Sequence, residues 1–151
     1  MIKKILIALD YGDTCQDVFE QAISLAQATQ STLKLLNVLA FERDNNLSFS
    51  PYSDQDWRTY QAQYKDLETG SSKLLEEFAQ KAKEAGVGAE VAQEIGNAGP
   101  VICELGKVWR ADLIIVGSHG RKGLSEMLLG SVSNYVVHHA ICSVMVVHRP
   151  D

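Results

Sequence analysis

The sequence predicts an α/β fold: an open, doubly wound, Rossmann-like parallel sheet with helices on both faces. Three observations predict it. Four short apolar runs and one alternating stretch recur along the 151 residues. Stretches with helical periodicity separate them, giving the order β-α-β-α-β-α-β-α-β. Every connection between strands is therefore long enough to be a crossover, and helical crossovers demand parallel neighbours with right-handed connections. The length and the 46% hydrophobic content fit one domain, residues 1–151, with its own core.

The elements follow in order. "KKILIALD" (3–10) is an apolar run with a basic lead-in and an acidic stop, the pattern of a strand buried on both faces. In the next stretch Asp13 or Thr14 is placed to cap a helix, with Asp17 in capping-box position and Val18, Ala22, Leu25 and Ala26 on one face. "STLKLLNVL" (31–39) is the second strand. Residues 41–57 show no periodicity and contain Asn-Asn and Ser-Pro, so they read as the longest loop. A helix is expected over 59–85, with Leu67, Ser71, Leu74, Leu75, Phe78 and Ala82 on its stripe. In 86–96, Val87, Ala89 and Val91 alternate, which predicts a half-exposed strand at a sheet edge. Gly99-Pro100 supplies a cap and first-turn pair for a third helix carrying Val101, Leu105, Val108 and Trp109. "DLIIVG" (112–117) is the fourth strand. Residues 131–140 form a helix with Val132, Tyr135, Val136 and His139 aligned, and "SVMVVH" (143–148) is the last strand.

Charge and cysteine content exclude several function classes. The formal net charge is −5, from 14 basic and 19 acidic side chains, which argues against a nucleic-acid or anionic-membrane binder. Cys15, Cys103 and Cys142 are odd in number and form no CxxC, so reduced, buried thiols are expected rather than disulfides or structural zinc. Only five apolar residues follow the N-terminal lysines before Asp10, too few for a secretory signal, and no run is long enough to span a bilayer. A cytoplasmic location follows.

The chemistry concentrates in "GSHGRKGLSEMLLGS" (117–131), where Gly117-x2-Gly120-x9-Gly130-Ser131 joins the fourth strand to the following helix. The dinucleotide GxGxxG is missing from the first turn, which reads "LDYGDT". No P-loop and no GxSxG elbow occurs in the chain. Glycines at a strand end expose successive N–H groups as an anion nest, and a helix N-terminus adds its unsatisfied donors and positive dipole end. Ser131 and Ser133 add hydroxyls, Arg121 and Lys122 positive charge, and His119 lies within reach of a phosphate. Asp10 and Gly117 end the first and fourth strands, and share one crevice if those strands are neighbours at the point where strand order reverses. Asp13 is better placed as a cap than as an acid/base partner for Asp10. His138-His139 is expected to supply one core-facing and one exposed ring, and Trp57 and Trp109 to be packing anchors.

Those residues carry a family resemblance. The stretch from Ala111 to His148, with its Gly-x2-Gly-x9-Gly-Ser, resembles the C-terminal signature of the nucleotide-binding universal stress proteins, and the likeness extends over the whole chain. The resemblance implies a five-stranded parallel sheet in the order 3-2-1-4-5 that binds ATP, or another adenine nucleotide, with Mg2+. It implies that Asp10 contacts the ribose or the nucleotide's metal, that the Val38 backbone reads the adenine edge, and that Val116 and Gly117 line the ribose. Gly120 then lets the loop close on the phosphates, Gly130, Ser131 and Val132 hold them, and Ser133 is a further polar position. Asn37 stands where many relatives have histidine, and Ser143 where many have proline.

The function expected from this resemblance is a nucleotide-dependent sensor or adaptor in stress response, hydrolysing ATP slowly at most, with a downstream protein partner of unknown identity. A homodimer through the last strand, Ser143–Val147, agrees with the need to cover an apolar edge. Two alternatives differ in class. One is a nucleotide-free module, or one binding AMP or a cyclic nucleotide. The other is an adenylyl-transferring or ATP-pyrophosphatase enzyme, which needs an SGGxDS or HIGH motif that "LDYGDT" does not supply.

Overall fold

The structure is a computed structural model that describes residues 1–10, 14–39, 54–118 and 129–148, with the main chain alone at 54–57. The described elements alternate as β1 (Lys4–Ala8), α1 (Cys15–Thr29), β2 (Thr32–Leu39), α2 (Asp54–Glu84), β3 (Ala89–Ile95), α3 (Ala98–Trp109), β4 (Leu113–Gly117), α4 (Ser131–His139) and β5 (Ser143–Val147). Every strand pair is parallel and the sheet order is β3-β2-β1-β4-β5. The fold is thus the open α/β sheet in the order that the resemblance implies.

The period-2 alternation of strand side chains divides the core into two layers. Ile5 and Ile7 of β1, Leu33 and Leu35 of β2, and Leu113 and Ile115 of β4 pack with Val18, Phe19, Leu75 and Phe78 from α1 and α2. Leu6, Leu36, Ile114 and Val116 face the other way, toward Ile102 of α3 and Val136 of α4. A central strand covered on both sides has no polar face, which is why β1 reads as an unbroken apolar run. Its amino end is tied down as well: the Asp112 carboxylate accepts the Lys3 and Lys4 amides at 2.9 Å each. Those two bonds hold the Asp112 carboxyl below its ordinary range.

Four expectations change. The second helix begins at Asp54, inside the stretch read as loop; the rest of that loop up to residue 53 lies outside the described residues. No residue from 58 to 70 is buried, and Leu67, expected on the stripe, is exposed, so the buried face of the described side chains of α2 starts only at Ser71. The stripe of α3 is displaced: its buried positions are Gly99, Ile102 and Gly106, while Val108 is 69% exposed. The helix lies so close to the sheet that a Cβ on Gly106 would meet Ile114 Cδ1 at 2.8 Å. Contacts made through a missing side chain are invisible to a hydrophobic pattern. Asn97, not Gly99, occupies the N-cap of α3, and Pro100 sits in the first turn, where its missing N–H has no helical partner to lose. Thr14 does occupy the N-cap position of α1, but makes no side-chain capping bond; Asp13 lies outside the described residues.

Smaller differences follow from the same packing. Both His138 and His139 are exposed, so neither ring faces the core. His139 instead stacks on Tyr135 with ring centroids 4.0 Å apart. Val136 is the buried anchor of α4, while Val132 is exposed. Cys15 is buried, and Cys103 and Cys142 are half-buried; all three are free thiols. Trp109 is half-buried beneath two lysines, with Lys4 Nζ 5.2 Å and Lys34 Nζ 5.1 Å from its ring centroid. The edge strands differ from the centre: Val91 and Ile95 of β3 and Ile141 beside β5 are exposed. Among the described residues, no helix is long and apolar enough to cross a membrane.

Candidate functional site

β1 lies between β2 and β4, and the chain leaves its carboxyl end toward α1 on one face. From β4 the chain goes to α4 on the opposite face. The two connections diverge, and the crevice between them is where an open α/β sheet accepts ligands. Gly117, at the end of β4, lies against the start of α1. An added Cβ there would sit 2.7 Å from Thr14 Oγ1 and 3.4 Å from Thr14 Cβ. The spacing predicts ligand approach at Gly117; the structure shows that on its Cβ side the space is filled by Thr14, which is 4% exposed. This glycine lets two connections meet at the switch point.

The following connection is closed at its base. Gly130 donates its N–H to the Ser118 carbonyl at 2.7 Å, and Asn134 N to Gly130 O, at 2.9 Å, opens the hydrogen-bond ladder of α4. The amides of Ser131, Val132 and Ser133 are therefore left without an intrahelical partner, as the first turn of any helix leaves them. Gly130 has φ −61° and ψ 162°, a conformation open to any residue, so its glycine is not required by the backbone angle. Ser131 and Val132 are exposed, whereas Ser133 is buried. The Ser133 hydroxyl donates inward, 3.0 Å from Gly130 O and 3.2 Å from Ser118 O. That hydroxyl holds the closure together, and the group Ser133 presents to the helix end is its amide.

On the other side of the crevice, Asp10 is exposed one residue beyond Leu9, whose N–H still bonds the Leu36 carbonyl at 2.8 Å. Val38, near the carboxyl end of β2, is half-buried against the α3–α4 layer. Val116 is buried in that same layer, so its side chain belongs to the core. His119, Gly120 and Arg121 lie outside the described residues. The structure thus gathers Asp10, Val38, Gly117, Gly130, Ser131 and Val132 at the carboxyl ends of neighbouring strands. It also adds three polar residues: Thr14 at Gly117 and Ser118 beside Gly130, neither read as a site element, and Asn37 beside Leu9, noted only as standing where many relatives have histidine. The Ser118 hydroxyl is buried and has no hydrogen-bond partner among the described residues. Only Asn37 gave a sequence signal, a polar residue inside an apolar strand.

Chemically, this is an arrangement for binding: main-chain donors and a positive helix end on one wall, and a carboxylate on the other. Burial, then the nearby Asp10 carboxylate, pushes the Cys15 thiol up to about 11. The unfolded chain ionises this thiol near its ordinary value of 9.0 and so gives up its proton first. The Cys15 contribution to stability is therefore complete below pH 9 and lost as pH rises through about 11. Denaturation midpoints followed from pH 8 upward are expected to fall less steeply in Cys15→Ala than in the parent chain.

Comparison with known proteins places these features in a family. The profile described as the universal stress protein family matches residues 1–148. Universal stress protein Sll1388 of Synechocystis is 34% identical over 161 aligned positions, covering 97% of each chain. The solved structure of hypothetical protein MJ0577 superposes with a TM-score of 0.82 at 25% identity, covering 100% of this chain and 99% of that one. A universal stress protein family protein of Arabidopsis thaliana, At3g01520, solved with AMP bound, superposes with a TM-score of 0.66 at 28% identity, over 98% of this chain and 92% of its own. With the profile running almost end to end, a relative alike along its whole length and the same fold, this chain belongs to the universal stress protein family.

Proposed function

We propose that this chain binds an adenine nucleotide, ATP in the first instance, in the crevice at the carboxyl ends of β1 and β4, and acts in the cytoplasm as a nucleotide-dependent sensor or adaptor in stress response. The observation that carries the reading is the convergence at one place of the Gly117-x2-Gly120-x9-Gly130-Ser131 spacing and the amides of Ser131, Val132 and Ser133 that α4 leaves for an anion. In this reading the phosphates lie against the start of α4, with His119, Gly120 and Arg121 contributing from the loop. The Val38 main chain meets the adenine edge, Val116 and Gly117 line the ribose through their main chain, and Asp10 meets the ribose or a nucleotide-bound Mg2+. Mg2+ would supply charge neutralisation to the phosphates, and in this reading Asp10 is the carboxylate that would face it. The AMP complex of the Arabidopsis relative supports a second reading, in which a monophosphate is the ligand and no metal takes part.

The same proposal includes a homodimer through β5. Val144, Met145 and Val146 are half-buried in an edge strand, and Ile141 beside them is 73% exposed, an apolar margin that a second copy would cover. Native mass spectrometry of the purified full chain tests ligand and assembly together, and titration calorimetry with ATP, ADP, AMP and cyclic AMP, with and without Mg2+, ranks the nucleotides. A dimer carrying adenine nucleotide, or micromolar binding of one of them, is the expected result. A chain that purifies without nucleotide and binds none of the four overturns the reading.

A further inference from the structure

One buried polar chain at the site has no role in the reading so far. Asn37 of β2 and Ser71 of α2 are 4% and 0% exposed. Asn37 Nδ2 donates to the Leu9 carbonyl at 2.7 Å, and the Ser71 hydroxyl donates to Asn37 Oδ1. These two bonds select one orientation of the amide. Turned over, Oδ1 would face the Leu9 carbonyl, acceptor against acceptor.

The place of this chain in the fold gives it meaning. β1 ends at Ala8, so the Leu9 carbonyl lies past the end of the strand. An amide from a neighbouring strand takes the place of a main-chain donor there. The Leu9 carbonyl shares its peptide plane with the Asp10 amide, so holding that carbonyl sets the plane from which Asp10 departs. An amide buried among apolar side chains is unfavourable unless satisfied, whereas a leucine of similar size would bury freely. A polar residue here thus has a local task, and the contact it makes is with the peptide that carries Asp10. Ser71 brings in α2: it is the first buried residue along the described side chains of that helix, the point where the helix seats on the sheet.

We propose that Asn37, oriented by Ser71, is a positioning residue for the nucleotide site, holding the Leu9–Asp10 peptide so that Asp10 meets the ligand in a defined place. The proposal rests on the nucleotide reading above. It makes the seating of α2 part of the site's geometry, although α2 itself supplies no ligand contact.

The test uses the full chain and four variants: Asn37→Leu, Ser71→Ala, Asp10→Asn and the Asn37→Leu/Asp10→Asn double variant. Affinity for AMP and for Mg-ATP is measured by calorimetry, and Asp10 amide exchange is followed by NMR in the nucleotide-free protein. Asn37→Leu is expected to weaken nucleotide binding about tenfold, the loss of one well-formed buried hydrogen bond, and Ser71→Ala by a few-fold. In the Asp10→Asn background, Asn37→Leu is expected to change affinity less than about twofold, because the two act through one contact. Asp10 amide exchange is expected to quicken in Asn37→Leu and Ser71→Ala. Wild-type affinity in Asn37→Leu, or an equal loss with and without Asp10, overturns the positioning role. If Asn37→Leu does not fold, Ser71→Ala carries the same comparison, with Ser71→Ala/Asp10→Asn replacing the double variant. A parent chain that binds no nucleotide refutes the nucleotide reading and the ligand role with it, whereas unchanged Asp10 exchange in the variants refutes the clamp itself.

Discussion

Gly117→Ala is expected to destabilise the protein by about 1–3 kcal/mol, the range for forcing an extra carbon into a packed site. A glycine in a strand ordinarily gains stability from alanine, because the unfolded chain loses freedom. Here the new Cβ would lie 2.7 Å from Thr14 Oγ1, closer than such atoms approach, and Thr14 is itself buried at the start of α1. The collision is with a β-branched side chain at the head of a helix, which has little room to turn. Thr14→Ala removes the clashing oxygen, so the Thr14→Ala/Gly117→Ala pair is expected to lose distinctly less than the two single variants summed. Urea denaturation of the four chains measures this coupling. A Gly117→Ala midpoint equal to that of the parent would mean that the two connections do not meet in close contact at Gly117.

Gly130→Val is expected to lower adenine-nucleotide affinity at least about a hundredfold, the loss of two charge-assisted hydrogen bonds from main-chain amides to phosphate. Gly130 has backbone angles that valine also adopts, and its N–H bond to the Ser118 carbonyl does not depend on the side chain. What valine adds is bulk at the mouth of the first turn of α4, where the proposed phosphates approach the amides of Ser131 and Val132. Calorimetry with AMP and Mg-ATP gives the affinity, and circular dichroism shows whether α4 persists. Unchanged affinity in a folded Gly130→Val chain would remove the helix start from the site.

Much of the architecture was legible because the physics of each layer repeats along the chain. Runs such as Leu6-Ile7 and Leu113 to Val116 are apolar throughout, since a parallel strand with helices on both sides has no wet face. Helices α1 and the later part of α2 announced themselves by period, with Val18, Ala22 and Ala26, then Leu75, Phe78 and Ala82, all buried as expected. The same logic failed where packing is not made by apolar side chains. Helix α3 approaches the sheet through Gly106, and residues 58–70 of α2 bury nothing, so the apolar stripes read for these two helices do not match the faces they bury.

The candidate site divides along the same line. The glycine spacing and the helix start at Ser131 were readable because an anion site made of main chain depends on local features: where side chains are missing and where a helix begins. The contact between Gly117 and Thr14, the bond of the Ser133 hydroxyl to the Ser118 carbonyl and the path from Ser71 through Asn37 to Leu9 join residues apart in sequence. Ser71 and Asn37 are 34 positions apart, and Asn37 and Leu9 are 28. Local composition and period determined the class of fold, the parallel pairing and the glycine-rich stretch that carries the proposed anion site, since each arises from neighbours along the chain. Which glycine lies against another connection, and which polar side chain bonds the Leu9 carbonyl, was decided only when the sheet order set β1 between β2 and β4. Those contacts are made across strands and connections, and their physical cause is the close packing of segments that no local pattern relates.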